Sequence, residues 1–188
     1  AYILKKKDFW KSTFYVDKNV LIPRPDTELV IEEILKIFSK QKQLNVLDIG
    51  TGSGCILLSI LKERPNFYGV GIDISSKSIK VSKYNAKMLQ LKNKVKFYHS
   101  DVDNFKIGKY DIIVSNPPYL SKFDYENISG EIKLFEPKIA LFANRNGYEF
   151  YNRLASLLPN IISQKSMIFI EIGHSQAKKC IEIFESSE

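Results

Sequence analysis

Four consecutive residues, Asn116-Pro117-Pro118-Tyr119, carry the groups that could hold a planar amine nitrogen. The two prolines fix backbone torsions and remove two N–H donors, so the carbonyls of this turn stay out of a helix or a sheet ladder. The Asn116 side-chain oxygen and the Pro117 carbonyl can then accept both hydrogens of an NH2 group, while Tyr119 offers an aromatic face to a planar amide or base. The alternative is a proline-stiffened loop that follows a strand and has no chemical role.

Such a site would make a poor nucleophile reactive. The lone pair of an amide or aromatic amine is delocalised, and acceptors on both N–H groups draw electron density back toward the nitrogen. Holding that nitrogen in line with an electrophilic methyl group contributes up to about 7–11 kcal/mol through orientation. No strong base is required, because the alkylated nitrogen is more acidic and loses its proton after the transfer. We therefore predict that Asn116, Pro117, Pro118 and Tyr119 are catalytic.

A glycine-rich segment, Gly50-Thr51-Gly52-Ser53-Gly54, lies where a predicted strand turns into a predicted helix. Its glycines permit a tight turn and the close approach of a ligand to the main chain. A dinucleotide fingerprint would place its third glycine at position 55, which holds Cys55, so a nicotinamide enzyme is not supported.

Three acidic residues, Asp48, Asp73 and Asp101, lie at the ends of three successive predicted strands around this turn. Asp73 could accept both hydroxyl hydrogens of a ribose, and Asp101 could accept from an adenine amino group. Each has a structural alternative, in which Asp48 caps the turn, Asp73 caps the next helix and Asp101 only begins a loop. Together the acids and the glycines predict an adenosine-type pocket without a phosphate site.

The elements that must position these residues alternate between strand and helix. The predicted strands are 45–49, 68–72, 95–99, 110–115 and 167–172, and the predicted helices are 55–63, 75–91, 148–158 and one that begins near 175. This order predicts an α/β fold with a Rossmann-like, doubly wound, mostly parallel sheet and helices on both faces. Ligands of such sheets bind at the carboxyl ends of the strands.

The N-terminal region precedes this core. Apolar residues at 31, 34, 35 and 38 predict a helix, with Asp26 as its N-cap after Pro25. With 188 residues, we expect one catalytic domain, divided into an N-terminal segment (1–43) and a Rossmann-like core (44–188). Because the chain opens at Ala1, we expect a fragment of a longer protein.

Composition excludes several classes. Hydrophobic residues at 44% and charged residues at 26% exclude a disordered or collagen-like chain, and no apolar run is long enough to span a membrane. Two cysteines and two histidines are too few for a structural zinc site, so no metal is predicted. No secretion signal is visible, which favours the cytoplasm. The net charge of +7 comes from dispersed lysines, so nucleic-acid binding is weakly indicated and not required.

With both motifs in this order, the sequence resembles the class I S-adenosylmethionine-dependent methyltransferases that act on amino groups. The segment Leu21-Ile22-Pro23-Arg24-Pro25-Asp26-Thr27-Glu28, with Phe9-Trp10 upstream and Phe135-Glu136-Pro137 downstream, narrows the resemblance to the release factor glutamine methyltransferase family. The resemblance implies methylation of the glutamine in the Gly-Gly-Gln tip of class I peptide-chain release factors. The alternative is a methyltransferase for the amino groups of adenine or guanine in DNA or RNA.

The resemblance also implies a set of cofactor residues. S-adenosylmethionine, released as S-adenosylhomocysteine, would contact residues 50–54, Asp73 and Asn116, with Asp101 beside the adenine. Val102 stands where bacterial members often have an aromatic residue over the adenine, so stacking there should be weaker. Arg24 is expected either to support the active-site rim or to pair with Asp26 or Glu28. The family further implies a helical N-terminal domain and final strands that are not visible in this sequence.

Overall fold

A computed structural model describes residues 1–186. The strands, in chain order, are β1 (Lys6–Phe9), β2 (Ser12–Tyr15), β3 (Asn45–Ile49), β4 (Tyr68–Asp73), β5 (Val95–His99), β6 (Tyr110–Ser115) and β7 (Ile162–Ile170). The α-helices are α1 (Glu28–Ile37), α2 (Cys55–Glu63), α3 (Ser76–Met88), α4 (Lys122–Asn127), α5 (Gly130–Phe135), α6 (Glu149–Ile161) and α7 (Ala177–Glu185). Within these residues no helix combines the length and the apolar character needed to cross a bilayer.

The central sheet has five strands in the order β5-β4-β3-β6-β7, and every neighbouring pair is parallel. The chain runs outward from β3 to β5 and then returns to β6 on the other side of β3. This reversal opens a crevice at the carboxyl ends of β3 and β6, where ligands of doubly wound sheets bind. The predicted fold class is confirmed.

Helices cover both faces of the sheet because successive strand residues point to opposite sides. Val46 packs in a core with the apolar faces of α1, α2 and α3, whereas its neighbour Leu47 packs in a second core with α6. Both side chains are fully buried. The two cores hold the strands rigidly, so the loops at the strand ends have fixed starting points.

The N-terminal segment forms an antiparallel hairpin of β1 and β2 that the sequence analysis missed. Phe9 and Phe14 bury their rings in the same core as α1 and α2. Asn85 of α3 joins the hairpin to the site, because its Nδ2 donates to the carbonyls of Tyr15 at 3.0 Å and Ser53 at 2.9 Å. The hairpin therefore braces the glycine-rich segment from outside the sheet.

Several element boundaries differ from the predicted ones. A single 3-10 turn spans Pro25–Thr27, and α1 begins at Glu28, so the prediction of Asp26 as the helix N-cap is wrong. Helix α6 continues past Pro159 to Ile161. Pro159 has no N–H to donate within the helix, and the burial of Leu158 and Ile161 on either side of it offsets this cost. The short helices α4 and α5 bury no residue, so they lack the apolar periodicity that would have predicted them.

Candidate active site

A cavity of about 310 Å³ lies at the carboxyl ends of β3, β4 and β6. This volume lies within the range of small-molecule pockets. The predicted cofactor residues on its wall are Gly50, Thr51, Gly52, Ser53, Asp73, Asp101, Val102 and Asn116, and they are joined there by Pro118. The predicted residue Gly54 is not on this wall, because it packs closely against Leu58 and Ser82. The fold thus brings residues from four separate loops around one space.

The glycine-rich turn is held open by backbone geometry. The N–H groups of Gly50 and Thr51 both donate to the Ile72 carbonyl at 2.9 Å, which ties the turn to the end of β4. Gly50 has a φ of +74°, a conformation that other residues rarely adopt. A Cβ built on Gly50 would meet nothing within 4 Å, so the main chain there faces open space that a ligand could occupy.

Asp73 ends β4 and faces the same turn. Its Oδ2 accepts from the Gly52 N–H at 2.9 Å and its Oδ1 accepts from the Ser75 N–H at 2.8 Å. Burial raises the pKa of this carboxyl, and these hydrogen bonds oppose the rise. The helix-cap alternative for Asp73 is wrong, because Ser75 is the N-cap of α3. Each Asp73 oxygen keeps a lone pair, so acceptance from a ribose stays a prediction.

Asp101 has a partner that the sequence analysis did not foresee. Its Oδ1 accepts from the Arg153 guanidinium of α6, which also binds Asp103 at 2.8 Å, and it caps the 3-10 turn Val102–Asn104. Asp101 thus begins the loop after β5 and also binds Arg153 there, and its role toward adenine stays a prediction. Val102 is buried against the cavity.

Asn116 stands between this cavity and a second one of about 180 Å³, and it lines both. Its Nδ2 donates to the Thr27 hydroxyl at 3.0 Å. Within residues 1–186 its Oδ1 accepts no hydrogen bond, and this oxygen is not among the buried atoms without a partner. The accessible group of Asn116 is therefore its acceptor oxygen.

The rest of the proline turn is held in place by a hydrogen bond from Gln176. Pro117 is buried and is on the wall of neither cavity, and no hydrogen bond from the described residues reaches its carbonyl, so a catalytic role for Pro117 stays a prediction. The Tyr119 side chain lines the second cavity, where burial raises its pKa. The Tyr119 carbonyl accepts from Gln176 Nε2 at 3.0 Å. Gln176 is itself held in place, because its Oε1 accepts from the Tyr151 hydroxyl at 3.1 Å.

Arg24 lines both cavities and pairs with Glu136 across 112 residues of sequence. The distance from Nη2 to Oε1 is 2.6 Å, and the Glu136 side chain is buried. The expected pairing with Asp26 or Glu28 is wrong, because Arg24 turns toward the end of α5. The rim-supporting role agrees with this position, since the ion pair ties the N-terminal segment to the segment after Tyr119.

Thr27, Glu171, Gln176 and Arg153 contribute to the site, and the sequence analysis assigned none of them a role. They lie on three separate segments, because Glu171 and Gln176 both fall between β7 and α7, and no local spacing links them to the proline turn. Thr27 belongs to the segment 21–28 that carries the family resemblance, and this is the one sequence signal that points to it. No group of three or more potential metal ligands occurs in residues 1–186.

Asp48 should make the stability of the ligand-free protein depend on pH. Burial raises its pKa from the ordinary 3.8 to about 7, the Thr51 hydrogen bond opposes the rise, and the Asp73 charge adds to it. The unfolded state loses this proton first, so the free energy of unfolding should fall by about 1 kcal/mol per pH unit between about pH 4 and pH 7.

The measurement is the free energy of unfolding against pH for the wild type and Asp48→Asn. Asparagine can still accept from Thr51 but does not titrate, and the carboxyls that are not coupled to Asp48 contribute equally to both proteins. The wild-type value should therefore fall relative to the variant as pH rises. Parallel curves would contradict a raised pKa at Asp48.

Comparison with known proteins identifies the family. Residues 26–132 match the model of the methyltransferase small domain. A release factor glutamine methyltransferase of Caulobacter vibrioides is 35% identical over 100% of this chain and 65% of its own length. The protein of that name from Bacillus anthracis is 40% identical over 94% of this chain and 64% of its own length. The chain thus spans just under two thirds of these relatives.

Two further proteins extend the comparison. A bifunctional methyltransferase of Rickettsia prowazekii is 38% identical over 98% of this chain, which covers 39% of that protein. The solved ribosomal protein L11 methylase of Lactobacillus delbrueckii superposes with a TM-score of 0.61 at 20% identity, over 87% of this chain and 69% of that one. That similarity shows the class I methyltransferase fold. The chain belongs to the methyltransferase small domain family, and it is similar along its whole length to release factor glutamine methyltransferases.

Proposed function

We propose that this chain transfers a methyl group from S-adenosylmethionine to the side-chain amide nitrogen of the glutamine in the Gly-Gly-Gln tip of class I release factors. The names of the relatives from Caulobacter and Bacillus support the substrate. The observation that carries the reaction type is the accessible Asn116 oxygen, which stands where two cavities meet. An acceptor between a cofactor space and a substrate space suits a nucleophile that bears two N–H hydrogens.

The residues of the larger cavity fit the cofactor. The open space over Gly50 admits a ligand against the main chain, and Asp73 at the end of β4 presents a carboxylate. Val102 gives an apolar wall, and Asp101 retains an oxygen that no described residue binds. When bound, the cofactor supplies a methyl group on a positively charged sulfur, and the methyl carbon is the electrophile.

The chain's own residues prepare the amide. Asn116 Oδ1 accepts one N–H of the substrate glutamine, and we assign the second N–H to the Pro117 carbonyl, which has no other partner in the described residues. Tyr119 packs beside the amide from the second cavity. The nitrogen would take the methyl group as the methyl carbon–sulfur bond of the cofactor breaks and neutral S-adenosylhomocysteine leaves. The nitrogen, which is positive after the transfer, would then lose one of its two hydrogens as a proton to water. Holding the nitrogen in one orientation removes much of the entropic part of the barrier.

The N-terminal segment belongs to the same catalytic unit in this proposal. Residues 1–43 supply six lining residues to the cavity walls, and the other lining residues come from the Rossmann-like core. The six are Asn19, Val20, Leu21, Pro23, Arg24 and Thr27. A cytoplasmic location follows from the proposed substrate, because release factors act in translation.

The experiment uses S-adenosylmethionine with a labelled methyl group. A purified class I release factor should become labelled, and the same factor with its tip glutamine replaced by alanine should not. DNA and RNA are tested in parallel. Label that enters nucleic acid and leaves the release factor blank would overturn the proposal in favour of an adenine or guanine amino group. Equal labelling of both release factors would show that the tip glutamine is not the acceptor.

A further inference from the structure

We propose that Thr27 and Glu171 are positioning residues that fix the amide of Asn116 with its oxygen toward the substrate. This inference rests on the proposed function, because it assigns the reason that Asn116 presents an acceptor. The three residues form one hydrogen-bonded relay, and we call it the Asn116 relay below.

The relay runs in one direction. The Thr27 hydroxyl donates to Glu171 Oε2 at 2.6 Å, and its oxygen accepts from Asn116 Nδ2 at 3.0 Å. A carboxylate only accepts, so the Thr27 hydrogen is committed to Glu171. The Thr27 oxygen is then left to accept, and Asn116 must offer its NH2 group rather than its carbonyl oxygen.

Burial makes this direction stable. Thr27 is 2% exposed, so its hydroxyl cannot exchange Glu171 for water. A buried hydroxyl without a partner is costly, which penalises any rotation that breaks the 2.6 Å bond. Burial of Glu171 raises its pKa and the Asp26 charge adds to the rise, while the Thr27 hydrogen bond, the Asn116 amide and the Arg24 charge favour the ionised form.

The three members come from parts of the chain that meet only in the folded protein. Thr27 ends the 3-10 turn before α1, Asn116 follows β6, and Glu171 follows β7. The Glu171 N–H donates to the Ser115 carbonyl at 3.0 Å, which fixes the acid directly beside the start of the proline turn. The relay is therefore anchored on the sheet rather than on a mobile side chain.

The direction matters because the two ends of an asparagine amide have similar shapes and opposite hydrogen-bonding roles. When the Asn116 oxygen points toward the substrate, it can accept a hydrogen bond from the N–H of the substrate amide. With the amide reversed, two N–H groups would face each other, and the substrate nitrogen would lose one of its two acceptors. The relay selects the first arrangement before the substrate binds, which lowers the cost of reaching the reactive geometry.

The principal test compares three threonine variants in steady-state kinetics with a release factor. Thr27→Val keeps the shape and removes the hydroxyl, and we expect kcat to fall about tenfold or more, with KM changed less than kcat. Thr27→Ser restores the hydroxyl and should return kcat to within about twofold of the wild type. Thr13→Val is the matched control, because the exposed Thr13 also donates to a carboxylate, Asp8 Oδ1 at 2.6 Å, outside the site.

A second variant separates direction from packing. Glu171→Gln keeps the size of the side chain, but an amide can accept or donate, so it no longer forces Thr27 to donate. We expect kcat to fall in this variant as well, while the affinity for S-adenosylhomocysteine stays within about twofold. Wild-type kcat in both Thr27→Val and Glu171→Gln would overturn the inference, and so would an equal loss in Thr27→Val and Thr27→Ser.

A readout without turnover keeps the inference distinct from the proposed function. The side-chain NH2 protons of Asn116 can be followed by nitrogen-edited NMR, with Asn116→Asp used to assign them. In the wild type one of these protons should exchange slowly with water, and the protection should be lost in Thr27→Val and kept in Thr27→Ser. Unprotected protons in the wild type would refute the relay even if the release factor is methylated. Protected protons with no methylation would refute only the proposed function.

Discussion

Replacing Asn116 with alanine is expected to lower kcat by about 10²–10³-fold, the scale seen when one preorganised hydrogen-bonding group is removed from a reaction centre. The variant removes the accessible Oδ1 that would accept a substrate N–H. It leaves the glycine-rich turn and Asp73 in place, so the affinity for S-adenosylhomocysteine should change only a few-fold. The measurements are single-turnover methyl transfer and calorimetric titration of the product.

Asn66→Ala is the matched control, because Asn66 is exposed and its side chain donates a hydrogen bond to the carbonyl of Lys40, far along the chain from the proline turn. Its rate should equal that of the wild type. If the Asn116→Ala variant binds S-adenosylhomocysteine weakly but keeps the wild-type kcat at saturating S-adenosylmethionine, Asn116 acts only in binding the cofactor. That outcome would remove the main support for an amide nucleophile.

Replacing Gly147 with alanine should damage both stability and turnover. Gly147 has a φ of +89°, and a Cβ at this position would lie 2.3 Å from the Tyr119 carbonyl oxygen and 2.7 Å from Gln176 Nε2. The first contact is with backbone, so the overlap can be relieved only if the end of the proline turn moves. Left-handed strain and overpacking together should lower the free energy of unfolding by about 2–4 kcal/mol.

A loss of that size should lower Tm by about 5–12 °C for a chain of this length. Gly130→Ala is the control, because a Cβ there meets nothing within 4 Å and no left-handed φ is required. Its Tm should stay near the wild-type value or rise slightly, since alanine favours the first turn of α5. A Gly147→Ala protein with wild-type Tm and kcat would show that Tyr119 tolerates displacement.

The parallel sheet and the glycine-rich turn could be predicted from the sequence because their signals are local. Each strand from β3 to β6 is a short apolar run bounded by turn residues, and the order of strands and helices fixes the topology. The proline turn was recognisable for the same reason. Its placement beside the larger cavity followed from the rule that carboxyl strand ends share one edge.

The relay could not be predicted, because it joins residues far apart in sequence. Thr27 and Glu171 are separated by 144 positions, and neither belongs to a repeating pattern. The ion pair of Arg24 with Glu136 was missed for the same reason, since Asp26 and Glu28 are closer in sequence and have the same charge. The spacing of residues along the sequence does not predict partners that only tertiary packing brings together.

Both ends of the proline turn are held by residues that lie outside the stretch with α4 and α5, which follows the turn in sequence. Asn116 is tied to Thr27, and Tyr119 is tied to Gln176. The stretch with α4 and α5 exposes large apolar side chains such as Phe123 and Leu134 at the edge of the site. Substitutions in that stretch could therefore change which partner protein binds there while the positions of the reacting residues stay the same.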